Sequence, residues 1–135
     1  MENLTRYEFS GTGIFHILPL LEDCDMEQRD AEELELIERI FEETLPHPEI
    51  EWNKDLQCWF TEQGLERFKE ELETFRFLTE KYLESSGLGT LEVKKDNMNE
   101  QITVYRDCWQ VVIAVKNRGG QYDTKEYNHQ VVLGP

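Results

Sequence analysis

Five glutamates, Glu32, Glu35, Glu38, Glu42 and Glu43, recur at helical spacing in the first half of the chain. At 100° per residue they turn away from a stripe of Leu34, Ile37, Phe41 and Leu45, so a helix there presents an acidic ridge opposite its buried side. Glu22, Asp23, Asp25 and Glu27 precede this segment, and Glu49 and Glu51 follow it. From Glu22 to Glu51 the chain carries thirteen acids against Arg29 and Arg39 alone, a local balance of −11. Rows of carboxylates imitate the phosphates of a nucleic acid and compete for a basic groove. Trp52, in a polar stretch beside Glu51, is the aromatic best placed to anchor such a contact.

An ordinary solvated face competes with this reading, and Arg39 supports it, standing four residues from both Glu35 and Glu43. The functional reading makes Glu32, Glu35, Glu38, Glu42, Glu43, Glu49, Glu51 and Trp52 a partner-binding set. In charge and size the chain is similar to small acidic inhibitors of nucleases as a class: anti-restriction proteins, anti-CRISPR proteins and toxin immunity proteins. That similarity does not extend to the motif of any one family. It fixes neither target nor mechanism; the local charge of −11 leads to the expectation of a non-enzymatic binding protein that inhibits a nucleic-acid-processing protein, with a basic protein surface as partner. An accessory or scaffolding domain, its acidity serving solubility, is the alternative. A small enzyme whose site is assembled from distant residues is the third.

Reactive residues show no convergent spacing. His16, His47 and His129, and Cys24, Cys58 and Cys108, form no Cys-x-x-Cys, His-x-x-x-His or His-Glu-x-x-His pattern, so no catalytic set, metal site or cofactor is expected. Gly11-Thr12-Gly13 has neither the third glycine of a dinucleotide-binding loop nor a following Gly-Lys-Ser/Thr, and reads as a turn. Lys116 to Gly120 reads as a hairpin connection. Among twenty-nine acids some carboxylates will always be close, which tells nothing of acid–base catalysis.

A net charge of −15 opposes direct contact with nucleic acid or an anionic membrane. From Ser85 to Pro135 acids and bases balance, which confines the acidity to one region and gives it a directional field. No apolar run reaches the length of a membrane span, and the N-terminus lacks a signal-peptide pattern. An odd number of scattered cysteines suits a reducing compartment, with buried free thiols. These points together predict a cytoplasmic protein.

The elements that must position the ridge follow from periodicity. With 39% apolar residues in 135, the chain can bury a core as a single acidic domain over 1–135. A short strand is expected from Leu4 to Ser10. Ile14 to Leu21 is ambiguous between helix and extended chain because of Pro19. The acidic helix should run from about Met26 to Leu45, with Asp25 and Gln28 as a capping box, Leu36 and Ile40 widening its buried stripe, and Pro46 and Pro48 ending it. A strand at Gln57 to Phe60 leads to a second helix, capped by Thr61, lined by Leu65, Phe68, Leu72, Phe75 and Tyr82, and closed by Gly87 and Gly89. Three further segments, Thr90 to Lys94, Ile102 to Arg106 and Trp109 to Val115, suggest a meander, and His129 to Leu133 an edge strand. The consecutive apolar run at Val111 to Val115 suits a central strand. Trp59 and Trp109 belong to the core, while Tyr122 and Tyr127 are weaker surface anchors. The fold class is α+β: two main helices packed on a small, mostly antiparallel β-sheet.

Overall fold

In a computed structural model that describes residues 3–50, 52, 55–96, 102–115 and 132–135, the strands are β1 (Leu4–Phe9), β2 (Thr12–Gly13), β3 (Leu56–Phe60), β4 (Leu91–Asp96), β5 (Ile102–Arg106), β6 (Gln110–Ala114) and β7 (Val132–Leu133). The helices are α1 (Ile14–Glu22), α2 (Gln28–Thr44), α3 (Glu62–Arg67) and α4 (Lys69–Thr79), the last continuing as a π-helical turn over Glu80–Glu84. The class is α+β, with two dominant helices packed on a mixed, mostly antiparallel sheet. Two units divide the chain. A helical unit comprises Arg6–Leu45 and Phe68–Lys94; a strand-rich unit comprises Met1–Thr5, Pro46–Arg67 and Lys95–Pro135.

In the helical unit, β1 turns back on β2 through Ser10 and Gly11, pairing Phe9 with Thr12. Both turn residues take positive φ, 51° and 80°, as a two-residue hairpin loop requires if it is to follow strand twist. Gly11-Thr12-Gly13 thus serves a turn. Gly13 also leaves room for Arg6, since a Cβ there would lie 2.9 Å from the guanidinium. Arg6 and Glu8 stand on one face of β1, buried and joined at 2.7 Å, and Lys94 of β4 reaches Glu8 at 3.0 Å. Burial alone would raise the Glu8 carboxyl, but the hydrogen bonds from Lys94 and Arg6 outweigh it and hold the group below its ordinary value.

The core of this unit follows the apolar stripes. Leu34, Ile37 and Phe41 of α2 are buried, as are Leu72, Phe75 and Leu78 of α4. Phe41 packs on Phe68 at 5.3 Å between centroids, and Tyr7 of β1 meets Phe75 edge-on at 6.0 Å, which seats α4 on the strand. The ambiguous segment is a helix, α1, with Ile14, Ile17, Leu18 and Leu21 inward. Pro19 is exposed, so the hydrogen bond it cannot donate is lost on the solvent side.

In the strand-rich unit every residue of β6 is buried, and the strand lies between β3 and β5 in antiparallel register, the central position its composition predicts. Leu4, Trp59, Val111 and Ile113 form its apolar cluster. A bulge interrupts β5 between Thr103 and Tyr105, and β7 adds to β5 in parallel. Thr61 caps α3 as expected: its hydroxyl accepts from the Gly64 N–H at 3.0 Å and donates to the Cys108 carbonyl at 2.6 Å.

Several expectations are corrected. No Asp25–Gln28 capping box forms: α2 starts after Glu27 with no side-chain cap, and the Glu27 N–H donates instead to the Tyr82 hydroxyl at 3.2 Å. The second helix is broken, because Phe68 leaves helical geometry (φ −107°, ψ 23°) to bury its ring against Phe41. Strand β4 pairs with β1 and not with β5, so the three late strands are not a meander. Leu36 is 51% exposed, lying about 200° from Leu34 around the helix. The thiols are free but not buried: Cys108 is exposed, Cys24 and Cys58 are intermediate. Trp59 is buried, whereas Trp109 is half-buried beneath the Arg67 guanidinium, 5.8 Å from its ring centroid.

Candidate acidic interaction surface

Helix α2 departs from the expected ridge at Glu38, which lies four residues after Leu34 and so only about 40° from it around the helix. Glu32, Glu35, Glu42 and Glu43 are exposed, and Glu38 is half-buried. With a rise of about 1.5 Å per residue, the carboxylates from Glu32 to Glu42 recur roughly every 4.5–6 Å along the axis. Arg39 makes no ion pair with Glu35 or Glu43 among the described residues, so the pairing that favoured a plain solvated face does not form.

Glu38 is the most perturbed of the set. It lies on the flank of α2 that meets α1, where its carboxyl shares a hydrogen bond with Glu22. Burial, that bond and the charges of Glu22, Glu35 and Glu42 push its pKa up to about 7. Burial is the largest cause of this shift, and the neighbouring carboxylates add to it because each disfavours the ionised form.

Glu49 and Trp52 belong to the strand-rich unit and are both exposed, Trp52 at 50%. Glu51, Tyr122, Tyr127, His129 and the turn from Lys116 to Gly120 lie outside the described residues.

Sequence reasoning missed a second cluster. Asp30, in the first turn of α2, is buried, and its Oδ2 accepts from Lys81 Nζ at 2.7 Å and from the Tyr82 hydroxyl at 2.5 Å. Lys81 also reaches Glu27 at 3.2 Å and stands 5.6 Å from the Phe77 ring centroid. The π-helical turn sets this up: by inserting one residue it aims the consecutive Lys81 and Tyr82 at one carboxylate. The hydrogen bonds from Lys81 and Tyr82 hold Asp30 below its ordinary value and, reciprocally, raise both donors. The cluster ties the start of α2 to the end of α4 and holds Asp30 in a buried position. No periodicity announces it.

A third polar cluster occupies the strand-rich unit. Asp107 accepts from the Tyr105 hydroxyl at 2.6 Å, from the backbone N–H groups of Trp109 and Gln110 at 2.8 and 2.9 Å, and from Gln110 Nε2 at 3.2 Å. Gln110 donates further to the Pro46 carbonyl at 2.6 Å, while its Oε1 accepts from the Cys58 thiol at 3.1 Å. Burial, reinforced by Asp107, raises Tyr105, which keeps its hydroxyl protonated and suits it to bracing the β5–β6 hairpin. An open cleft of about 490 Å³ in the same unit is lined by Asn3, Leu4, Thr5, Glu62, Leu65, Lys95 and Asp96. Among the described residues no group of three or more metal-ligating side chains converges, and no helix is long and apolar enough to cross a membrane. No family model, curated protein or solved structure matches the chain.

Proposed function

We propose that this chain is a non-enzymatic binding protein that presents the carboxylates of α2 to a cationic protein surface and thereby inhibits a nucleic-acid-processing protein in the cytoplasm. The observation that carries the reading is the row of exposed glutamates on α2, joined at its α1 flank by the Glu22–Glu38 carboxyl pair. Their axial spacing is of the same order as the roughly 3.4 Å per phosphate of a DNA strand. A groove lined by Lys and Arg would exchange its phosphates for these carboxylates and gain charge-assisted hydrogen bonds. The free thiols accord with a reducing compartment.

Affinity capture from lysate with the tagged chain, washed at low and high salt and read by mass spectrometry, tests the proposal. A basic nucleic-acid enzyme retained at low salt and released at high salt is expected. Retention only of partners indifferent to salt contradicts it and favours the accessory-domain reading, for which the half-exposed indole of Trp52 is the specific support.

A further inference from the structure

Helix α1 carries apolar side chains on its outer as well as its inner face, with His16 exposed among the outer ones. Ile14, Ile17, Leu18 and Leu21 fill the core, yet Phe15, Pro19 and Leu20 are exposed, Phe15 at 40% and Leu20 at 45%. Pro19 follows Phe15 by one turn and Leu20 is its chain neighbour, so Phe15, Pro19 and Leu20 share the outer face with His16, which lies between Pro19 and Leu20. Large apolar side chains exposed together on one face mark a surface that a partner covers. No Lys or Arg lies within α1. Its end carries Glu22 and Asp23, and the flank of α2 beside it carries Glu35, Glu38 and Glu42. The two helices meet through Phe15 and Phe41, edge-on at 6.0 Å, and through Glu22 and Glu38.

We propose that the outer face of α1 seats a basic amphipathic segment of the protein partner, its apolar side chains on Phe15, Pro19 and Leu20 and its Lys or Arg side chains on Glu22, Glu35 and Glu42. The inference rests on the cationic-partner reading and adds to it the place and the apolar half of the contact. Charge complementarity selects this occupant. A second copy of the chain would set two carboxylate rims against each other, and an anionic lipid surface would be repelled by the same rim. An apolar centre with a charged border is also the anatomy by which helices dock into grooves.

Two peptides of identical Leu/Arg composition and about eighteen residues test the seat, one patterned as an amphipathic helix and the other scrambled. Each is titrated by fluorescence anisotropy into the full chain, into Leu20→Asn, into Phe15→Asn/Leu20→Asn and into Glu35→Gln/Glu42→Gln, over a range of salt. Leu20→Asn stands alone because Leu20 is 45% exposed, whereas Phe15 touches the buried Phe41. The patterned peptide is expected to bind at least about tenfold tighter than the scrambled one, and the apolar variants to lose about that factor without changing the salt dependence. Equal binding of the two peptides, no binding of either, or unchanged affinity in the apolar variants overturns the α1 seat. Binding whose salt dependence is unaltered in Glu35→Gln/Glu42→Gln fails the cationic-partner reading itself. Self-association of the chain alone, abolished by Leu20→Asn, makes a second copy the occupant and also overturns the proposal.

Discussion

Replacing Glu38 with Gln probes the electrostatics of the acidic surface without adding charge. The Glu38 carboxyl is raised to about 7 from an ordinary 4.5 by burial, by the hydrogen bond with Glu22 and by the charges of Glu22, Glu35 and Glu42. Because the folded pKa lies above the unfolded one, the folded chain holds this proton more tightly, so stability falls as pH rises from about 4.5 to 7 and is level beyond. Full linkage for such a shift would be about 3 kcal/mol, but Glu38 is only half-buried and solvent screening reduces the expected loss to roughly 1 kcal/mol. Glu38→Gln removes the ionisation while preserving shape. The variant should match the parent near pH 4.5–5 and exceed it by roughly 1 kcal/mol at pH 8, about 3 to 5 °C in Tm for a chain of this size. Urea and thermal unfolding at pH 5, 6, 7 and 8 measure this. Parallel pH profiles for parent and variant would refute the argument, because they would mean that neither burial nor the neighbouring carboxylates raise Glu38 in the folded chain.

Other perturbations follow from named contacts. Gly64→Ala should destabilise the strand-rich unit by about 3 kcal/mol or more, read by urea unfolding, because a Cβ there collides with the Trp109 carbonyl and backbone does not yield cheaply. Phe75→Ala, at a side chain with no exposure beneath Tyr7, should cost about 3–5 kcal/mol by the same assay. Asp107→Ala strands the Tyr105 hydroxyl and two backbone N–H groups, and should cost about 2–4 kcal/mol with faster amide exchange at Trp109 and Gln110. Asp30→Asn should flatten the acid side of the stability profile: the Lys81 and Tyr82 hydrogen bonds hold the Asp30 carboxyl below 3.8, so its contribution is present above that pH and lost as pH falls below it.

Long, strongly periodic segments were legible from residues alone. The Leu34–Ile37–Phe41 stripe defined α2 and the outward direction of Glu32, Glu35, Glu42 and Glu43 but not of the half-buried Glu38, and the run at Val111 to Ala114 fixed the central strand, because burial on both faces leaves no alternation to misread. Boundaries were less legible where tertiary contacts decide them. Tyr82 meets the Glu27 N–H across fifty-five residues and displaces the local Asp25 cap, and Phe68 breaks a continuous helical pattern for the sake of a ring contact with Phe41. The pairing of β4 with β1 depends on where α4 delivers the chain, which strand composition does not encode. Within the acidic surface, the spacing gave the exposed glutamates but not the role of α1. Only the packing shows that Glu22 meets Glu38 and that Phe15 and Leu20 remain outside the core.

The most direct test of the carboxylate surface is the affinity of the captured partner for the intact chain and for the quadruple variant Glu35→Lys, Glu38→Lys, Glu42→Lys and Glu43→Lys, with folding of both checked by circular dichroism. An electrostatic ridge predicts binding that weakens steeply with salt for the intact chain and is lost, by about a hundredfold or more, in the variant. Undiminished binding or inhibition by a folded quadruple variant would show that the partner is recognised elsewhere, and that the acidity of α2 serves only to keep the chain in solution.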